Sequence, residues 1–165
     1  YLRADRSHSY FVTDAGRTEA LFDFDTGITV SNGGLNAPLD DMVKYVGFLT
    51  GSKDAALAAR YDLILRRSSL EEMWQPVVRV GENAQMGLTY FLERHGGLDF
   101  IAHSGGQNGF ISHFYLHPPS GKAYLVAFNT QSTSQSLGPA RNTRALDAAV
   151  TAWLVPRWFR GPDLR

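Results

Sequence analysis

From residue 86 onward, apolar and polar residues alternate closely. MGLTYFLE (86–93), DFIAHS (99–104), FISHFYLH (110–117) and AYLVAFNT (123–130) predict four strands. Gly96-Gly97, Gly105-Gly106 and Pro119-Ser120-Gly121 punctuate them, and such short connections predict antiparallel neighbours. Earlier, SHSYFV (7–12) and RTEALFDF (17–24) flank Thr13, Asp14, Ala15 and Gly16 and predict a hairpin. The spacing then changes. Leu39, Met42, Val43, Val46 and Leu49 form one helical stripe that Pro38 can open at the first helical position and Gly51 can end. More helix follows. Ser68 with Glu71, and Ser69 with Glu72, each fit a capping box, which predicts a short helix starting there and stopping at Pro76. Near the end, Leu146, Ala149, Val150, Trp153 and Leu154 predict an amphipathic helix facing the sheet. Helices, a meander and a covering helix make an α+β layout, an antiparallel sheet packed by helices. The chain reads as one unit, 1–165, without internal repeats.

Composition narrows the functional classes. A chain of 165 residues can bury roughly 70% of the surface that its unfolded form exposes. Sixteen basic residues balance sixteen acidic ones with no block of like charge, so nucleic acid and membrane surfaces are not expected partners. No cysteine is present, which removes disulfide and thiolate chemistry and leaves the compartment open. No apolar run reaches the roughly 18 residues of a membrane span. The first residue is Tyr1 and not Met, which raises the expectation of a processed or truncated product.

One stretch stands apart from generic patterning: FIAHSGGQNGFISHFYLHPPSGK, residues 100–122. An apolar run ends in His103 and Ser104 and is followed by Gly105 and Gly106. A turn calls for glycine, but not for the His-Ser before it. Other chemistry is weaker. His113, Tyr115 and His117 alternate onto one strand face, yet local spacing ties no carboxylate or third histidine to them, so no metal site is expected. GFLTGSK (47–53) lacks the glycine spacing of a phosphate loop, and no GxSxG elbow occurs. No cofactor is expected.

The order VSNGGLNAPLDDMVKYVGFLTG, SSLEEMWQPV, GLTYFLE, HSGGQNGFISHFYLHPPSGKAYLVAFNT and a last helix resembles the carboxy-terminal part of the serine β-lactamase and penicillin-binding-protein-like family. That family includes class C β-lactamases, D-aminopeptidases, D,D-peptidases and esterases. The resemblance runs from about Gly33 to Trp153. It implies a cleft where three motifs meet: SxxK, YxN and a strand motif written KTG or HxG. His103, Ser104 and Gly105 resemble the third. By that resemblance the strand runs beside a bound acyl group, and Gly106 N–H is an oxyanion donor paired with the N–H of the nucleophile. His103 and Ser104 would line the leaving-group or carboxylate side. The implied catalytic set is His103, Ser104 and Gly106, with Gly105, Gln107, Asn108 and Gly34 binding substrate.

The other two motifs are missing: no serine has lysine three residues on, and no tyrosine has asparagine two residues on. In the family's order both precede the hairpin, so they are expected upstream of Tyr1. The chain is then the carboxy-terminal part of a serine hydrolase domain and inactive alone. Its parent would act by acyl-enzyme chemistry on an ester, amide or β-lactam. Histidine replaces a permanent lysine cation by a group ordinarily mostly neutral at pH 7, which favours esterase or peptidase-like chemistry. The rival reading is a non-catalytic module that binds a peptide or cell-wall fragment. Expected partners are a small-molecule or peptide substrate and a complementing amino-terminal segment, a second chain, or a second copy in a homodimer. Each would cover the strand edge and apolar face that the missing part leaves open. Relatives of this kind are commonly exported, which makes a periplasmic or exported location the implied one.

Overall fold

The computed structural model describes residues 6–20, 27–29, 31, 33–134, 136 and 141–160. They fall into two compact units. The first draws on Tyr1–Asn36, Ser104–Ser112 and Val126–Trp153, and the second on Ala37–His103, His113–Leu125 and Leu154–Arg165.

In the first unit, β1 (Tyr10–Thr13) and β2 (Gly16–Glu19) form the expected antiparallel hairpin, with Thr13 opposite Gly16 across a two-residue turn. Residues 21–24 of the expected second strand lie outside the described residues. β9 (Thr130–Ser132) joins β1 in parallel, giving the order β2-β1-β9. Asp14 in the turn accepts hydrogen bonds from the Ser134 hydroxyl at 2.6 Å and the Ser136 hydroxyl at 2.7 Å, tying the turn to the segment after β9. The last helix, α4 (Thr143–Leu154), begins at a threonine bonded on both sides. The Thr143 hydroxyl donates to Thr130 O and accepts from Ser132 N–H, each at 2.8 Å. This anchor corrects the expected packing of α4. Thr143 and Thr151 are buried, whereas Leu146, Ala149 and Trp153 of the apolar stripe are exposed.

The second unit holds α1 (Leu39–Thr50), α2 (Ala55–Asp62) and α3 (Arg67–Met73). The six-stranded sheet has the order β3-β4-β5-β6-β7-β8, and residues 104–107, 110–112 and 126–128 of its last three strands count with the first unit. Its strands are β3 (Val78–Arg79), β4 (Ala84–Met86), β5 (Phe91–His95), β6 (Leu98–Gln107), β7 (Phe110–His117) and β8 (Lys122–Phe128). Pairing is antiparallel from β3 through β6. Strand alternation sends successive side chains to opposite faces. Ile101, Phe114, Leu116 and Leu125 pack with Val46, Leu49, Leu70 and Trp74 from the helices. Phe100, Tyr115 and Tyr124 pack with Val155 and Phe159 of a π-helical stretch, Val155–Phe159. Within this unit, side chains from both faces of the sheet are packed.

Four local expectations are corrected here. Pro38 is the N-cap of α1, one residue outside the helix, and only Val46 and Leu49 of the stripe are buried, while Leu39 and Val43 remain exposed. α3 starts before both expected serine caps. Its first N–H, on Arg67, donates to the Asp62 carboxylate at 2.9 Å, so Ser68 and Ser69 lie within the helix. The run 86–93 is two strands, because Gly87 N–H turns back to Tyr90 O at 2.9 Å and Leu88 N–H donates to Met73 O at 2.8 Å. Finally, Gly96-Gly97 is a turn with φ of 57° and 80°, but Gly105-Gly106 lies inside β6. The β6–β7 turn is made by Asn108 and Gly109, with φ of 48° and 82°, the two left-handed positions that a tight hairpin turn requires.

Candidate functional site

The β5–β6 register ends with Ala102 opposite Phe91, and β6 continues through His103–Gln107. The boundary between the two units falls within this segment, after His103. In the second unit, His103 is exposed and its ring centroid lies 5.8 Å from that of Phe91, tilted by 45°. In the first unit, Ser104, Gly105 and Gly106 are all exposed. Neither glycine has a left-handed backbone. A Cβ on Gly105 would meet nothing within 4 Å, and one on Gly106 would make ordinary contacts of 3.7 Å with Ile111 and with Phe110 O.

The four residues assigned to substrate binding divide. Gly105 lies on the exposed strand end. Gln107 is half-buried, with its amide oxygen against Gly33, where a side chain would collide with it. Gly33 has a φ of 87°, so its lack of a side chain serves both backbone and packing. Gly34 follows it, and its carbonyl accepts from Asn36 Nδ2 at 3.2 Å. Asn108 is a turn residue, and its carbonyl accepts from the buried Ser9 hydroxyl at 2.6 Å. The structure thus brings Gln107 to the Gly33 turn, while Asn108 sits in the hairpin bend. Ser9 and Gly109 were not foreseen. The Asn-Gly dipeptide was the available signal for Gly109, whereas no local pattern marks Ser9.

A second group of polar side chains lies in the second unit. The Glu93 carboxylate accepts from the Tyr115 hydroxyl at 3.0 Å and pairs with His95 Nε2 at 2.7 Å. The His95 hydrogen bond holds the Glu93 carboxyl below the usual glutamate range, the Tyr115 bond adds to this, and burial opposes it. His113, which is buried, bonds the Tyr124 hydroxyl at 3.0 Å, and His117 bonds the Ser120 hydroxyl at 2.8 Å. Burial pulls the His117 imidazole below the ordinary histidine value, with Asp99 opposing. These contacts occupy the three residues that alternate on β7. Among the described residues no group of three or more histidine, aspartate or glutamate side chains is placed to hold a metal.

Chemically, the β6 end presents backbone without side chains at Gly105 and Gly106, beside the exposed Ser104, and the β5 register stops before it, at Ala102. Such an edge can hydrogen-bond an extended acyl or peptide group. Among the described residues no helix is long and apolar enough to cross a membrane.

No protein-family model matches the chain, and no curated protein matches it. Among solved structures it is similar to a penicillin binding protein from Bacillus halodurans, with a TM-score of 0.55 and 15% sequence identity. That similarity covers 93% of this chain and 41% of that one. The fold is α+β and penicillin-binding-protein-like, and the chain spans less than half the length of that protein.

Proposed function

We propose that the chain is part of a serine hydrolase acting by acyl-enzyme chemistry on an ester, amide or β-lactam, and that β6 supplies its substrate-facing strand. One observation carries this reading. Glycine inside a strand costs roughly 0.5–1 kcal/mol relative to alanine, yet at Gly105 and Gly106 neither backbone angle nor packing requires it. Both glycines are exposed and follow an exposed Ser104. Close approach of a ligand to the peptide edge explains the pair.

In this reading a serine carried outside these 165 residues attacks the acyl carbon, and water then hydrolyses the acyl-enzyme. Gly106 N–H donates to the developing oxyanion together with the N–H of that serine. His103 and Ser104 line the leaving-group side, and Gly105 admits the substrate backbone. Gln107, Asn108 and Gly34 complete the substrate-binding set. A complementing amino-terminal segment brings the SxxK and YxN groups.

A second reading, a non-catalytic penicillin-binding-like module, is favoured by the absence of SxxK and YxN from these residues. Labelling separates the two. A fluorophosphonate and a fluorescent penicillin are offered to the 165-residue chain and to the polypeptide encoded by its full reading frame. The chain should remain unlabelled, and the longer polypeptide should be labelled on a serine outside it. Stoichiometric labelling of Ser104 would overturn the assignment. Reversible penicillin binding without labelling of either would establish the second reading. In an active parent, Gly106→Val should lower kcat/KM by roughly 10²-fold, and Gly106→Ala, whose Cβ meets only ordinary contacts, separates the loss of activity from any loss of stability.

A further inference from the structure

We infer that Ser9 is a positioning residue for the Ser104–Gly106 strand end. This deepens the reading above and rests on it. An oxyanion donor must be held within a fraction of an ångström, and a strand end that terminates in a two-residue turn needs an external support. Ser9 provides it from 99 residues away in sequence.

Three observations converge on the turn. The Ser9 hydroxyl donates to Asn108 O at 2.6 Å, and Ser9 is 4% exposed. Gly109 is pressed so closely against β1 that an added Cβ would lie 3.0 Å from Tyr10 N, 3.1 Å from Tyr10 O and 3.2 Å from Ser9 Cβ. One residue before the turn, Gln107 fills the space over Gly33. Ser9 is itself held from two directions. Its carbonyl accepts from Ala20 N–H at 2.8 Å, and the next N–H, on Tyr10, donates to Asn129 O at 2.9 Å. The support therefore runs from β1, the end of β2 and the segment after β8, through one hydroxyl, into the bend at Asn108 and Gly109 that closes the strand carrying Gly105 and Gly106. A carbonyl fixed at Asn108 constrains the peptide planes immediately before it, and the nearest of these belong to the proposed ligand edge.

Amide hydrogen exchange on the isotopically labelled 165-residue chain tests this. Ser9→Ala should raise exchange about tenfold at those amides of Ser104–Asn108 that are protected in the unaltered chain, the loss of roughly one buried hydrogen bond, while Phe100 and Leu116 stay within a factor of about three. Ser9→Thr, which keeps the hydroxyl, should restore protection. A uniform rise across all amides, or none at Ser104–Asn108, would overturn the inference. Should Ser9→Ala fail to fold, the unmodified chain decides. An NOE between Ser9 Hβ and Gly109 Hα is required, and its absence would equally overturn the inference. These readouts involve no catalysis, so their failure leaves the acyl-transfer reading standing, while failure of labelling leaves Ser9 as the anchor of the bend.

Discussion

The Tyr115 hydroxyl reaches across from β7 to the Glu93 carboxylate on β5 at 3.0 Å, and His95 holds the same carboxylate oxygen at 2.7 Å. Glu93 is thereby kept charged in the folded state to lower pH than an ordinary glutamate. A lowered folded pKa contributes stability that is present above the ordinary value and lost as pH falls through the lowered one. His117 has the same sign, because burial favours its neutral form. Stability should therefore decline as pH falls below about 6.5, first through His117 and then through Glu93 below about 4.5. Urea midpoints between pH 7.5 and 3.5 measure this. Glu93→Gln should flatten the lower part of the profile and His117→Gln the upper part. A chain that gains stability on acidification would contradict both assignments.

Gly87 and Gly105 should respond oppositely to alanine. A Cβ on Gly87 would strike the backbone carbonyls of Met73 and Gln75, the latter at 2.9 Å, and neither can move without disturbing α3 or the chain leaving it. Gly87→Ala should cost about 3 kcal/mol, the upper range of overpacking. Gly105→Ala enters open space and should be neutral or stabilising by up to about 1 kcal/mol. Thermal melts of the two variants make the comparison, and equal losses would mean that the Gly105 backbone carries a constraint within the chain.

Helix α3 offers a sharper discrimination. The Asp62 carboxylate accepts the Arg67 N–H, so Asp62→Ala should cost about 1 kcal/mol, the usual worth of a helix cap. Ser68→Ala and Ser69→Ala, inside the helix, should each change stability by less than about 0.5 kcal/mol. A large loss at Ser68 would restore the capping box that the spacing suggested.

These cases mark what local pattern can convey. The α+β layout, the β1–β2 hairpin and the strands β6, β7 and β8 were legible because alternation acts over a few residues. The break at Gly87 was not, since the carbonyl of Met73 that demands it comes from another element. Ser68 with Glu71 had the right spacing, but the helix begins at Arg67, whose N–H is bound by a carboxylate five residues earlier, so Ser68 is already inside it. The setting of α4 followed Thr143, whose partners both lie on β9, and so Leu146 and Trp153 were left exposed. At the candidate site, the His103-Ser104-Gly105-Gly106 run was visible as a departure from turn chemistry. Its anchoring by Ser9 and the seat of Gln107 on Gly33 were not, because nothing near residue 107 in the sequence points to residues 9 or 33.

Arg67 joins two helices and should be among the most sensitive surface positions in the second unit. Its Nη1 donates to the carbonyls of Leu49 at 2.8 Å and Thr50 at 3.3 Å, satisfying the carboxy-terminal end of α1 where a positive charge also meets the helix dipole. The guanidinium lies 4.6 Å from the Trp74 ring centroid, and its Nε pairs with Glu71 at 3.0 Å. The Glu71 pair is solvent-exposed and contributes at most about 1 kcal/mol, so the carbonyl bonds and the ring contact dominate. Arg67→Ala should cost about 2–4 kcal/mol. Arg67→Lys should recover only part of that, since an ammonium cannot lie flat on Trp74 while reaching two carbonyls. The loss should also be nearly the same in 0.1 M and 1 M salt, roughly, because screening acts mainly on the exposed Glu71 pair. Denaturation of the three proteins at both salt concentrations decides the matter: a penalty that vanishes in high salt would assign the work of Arg67 to Glu71 instead of to the end of α1.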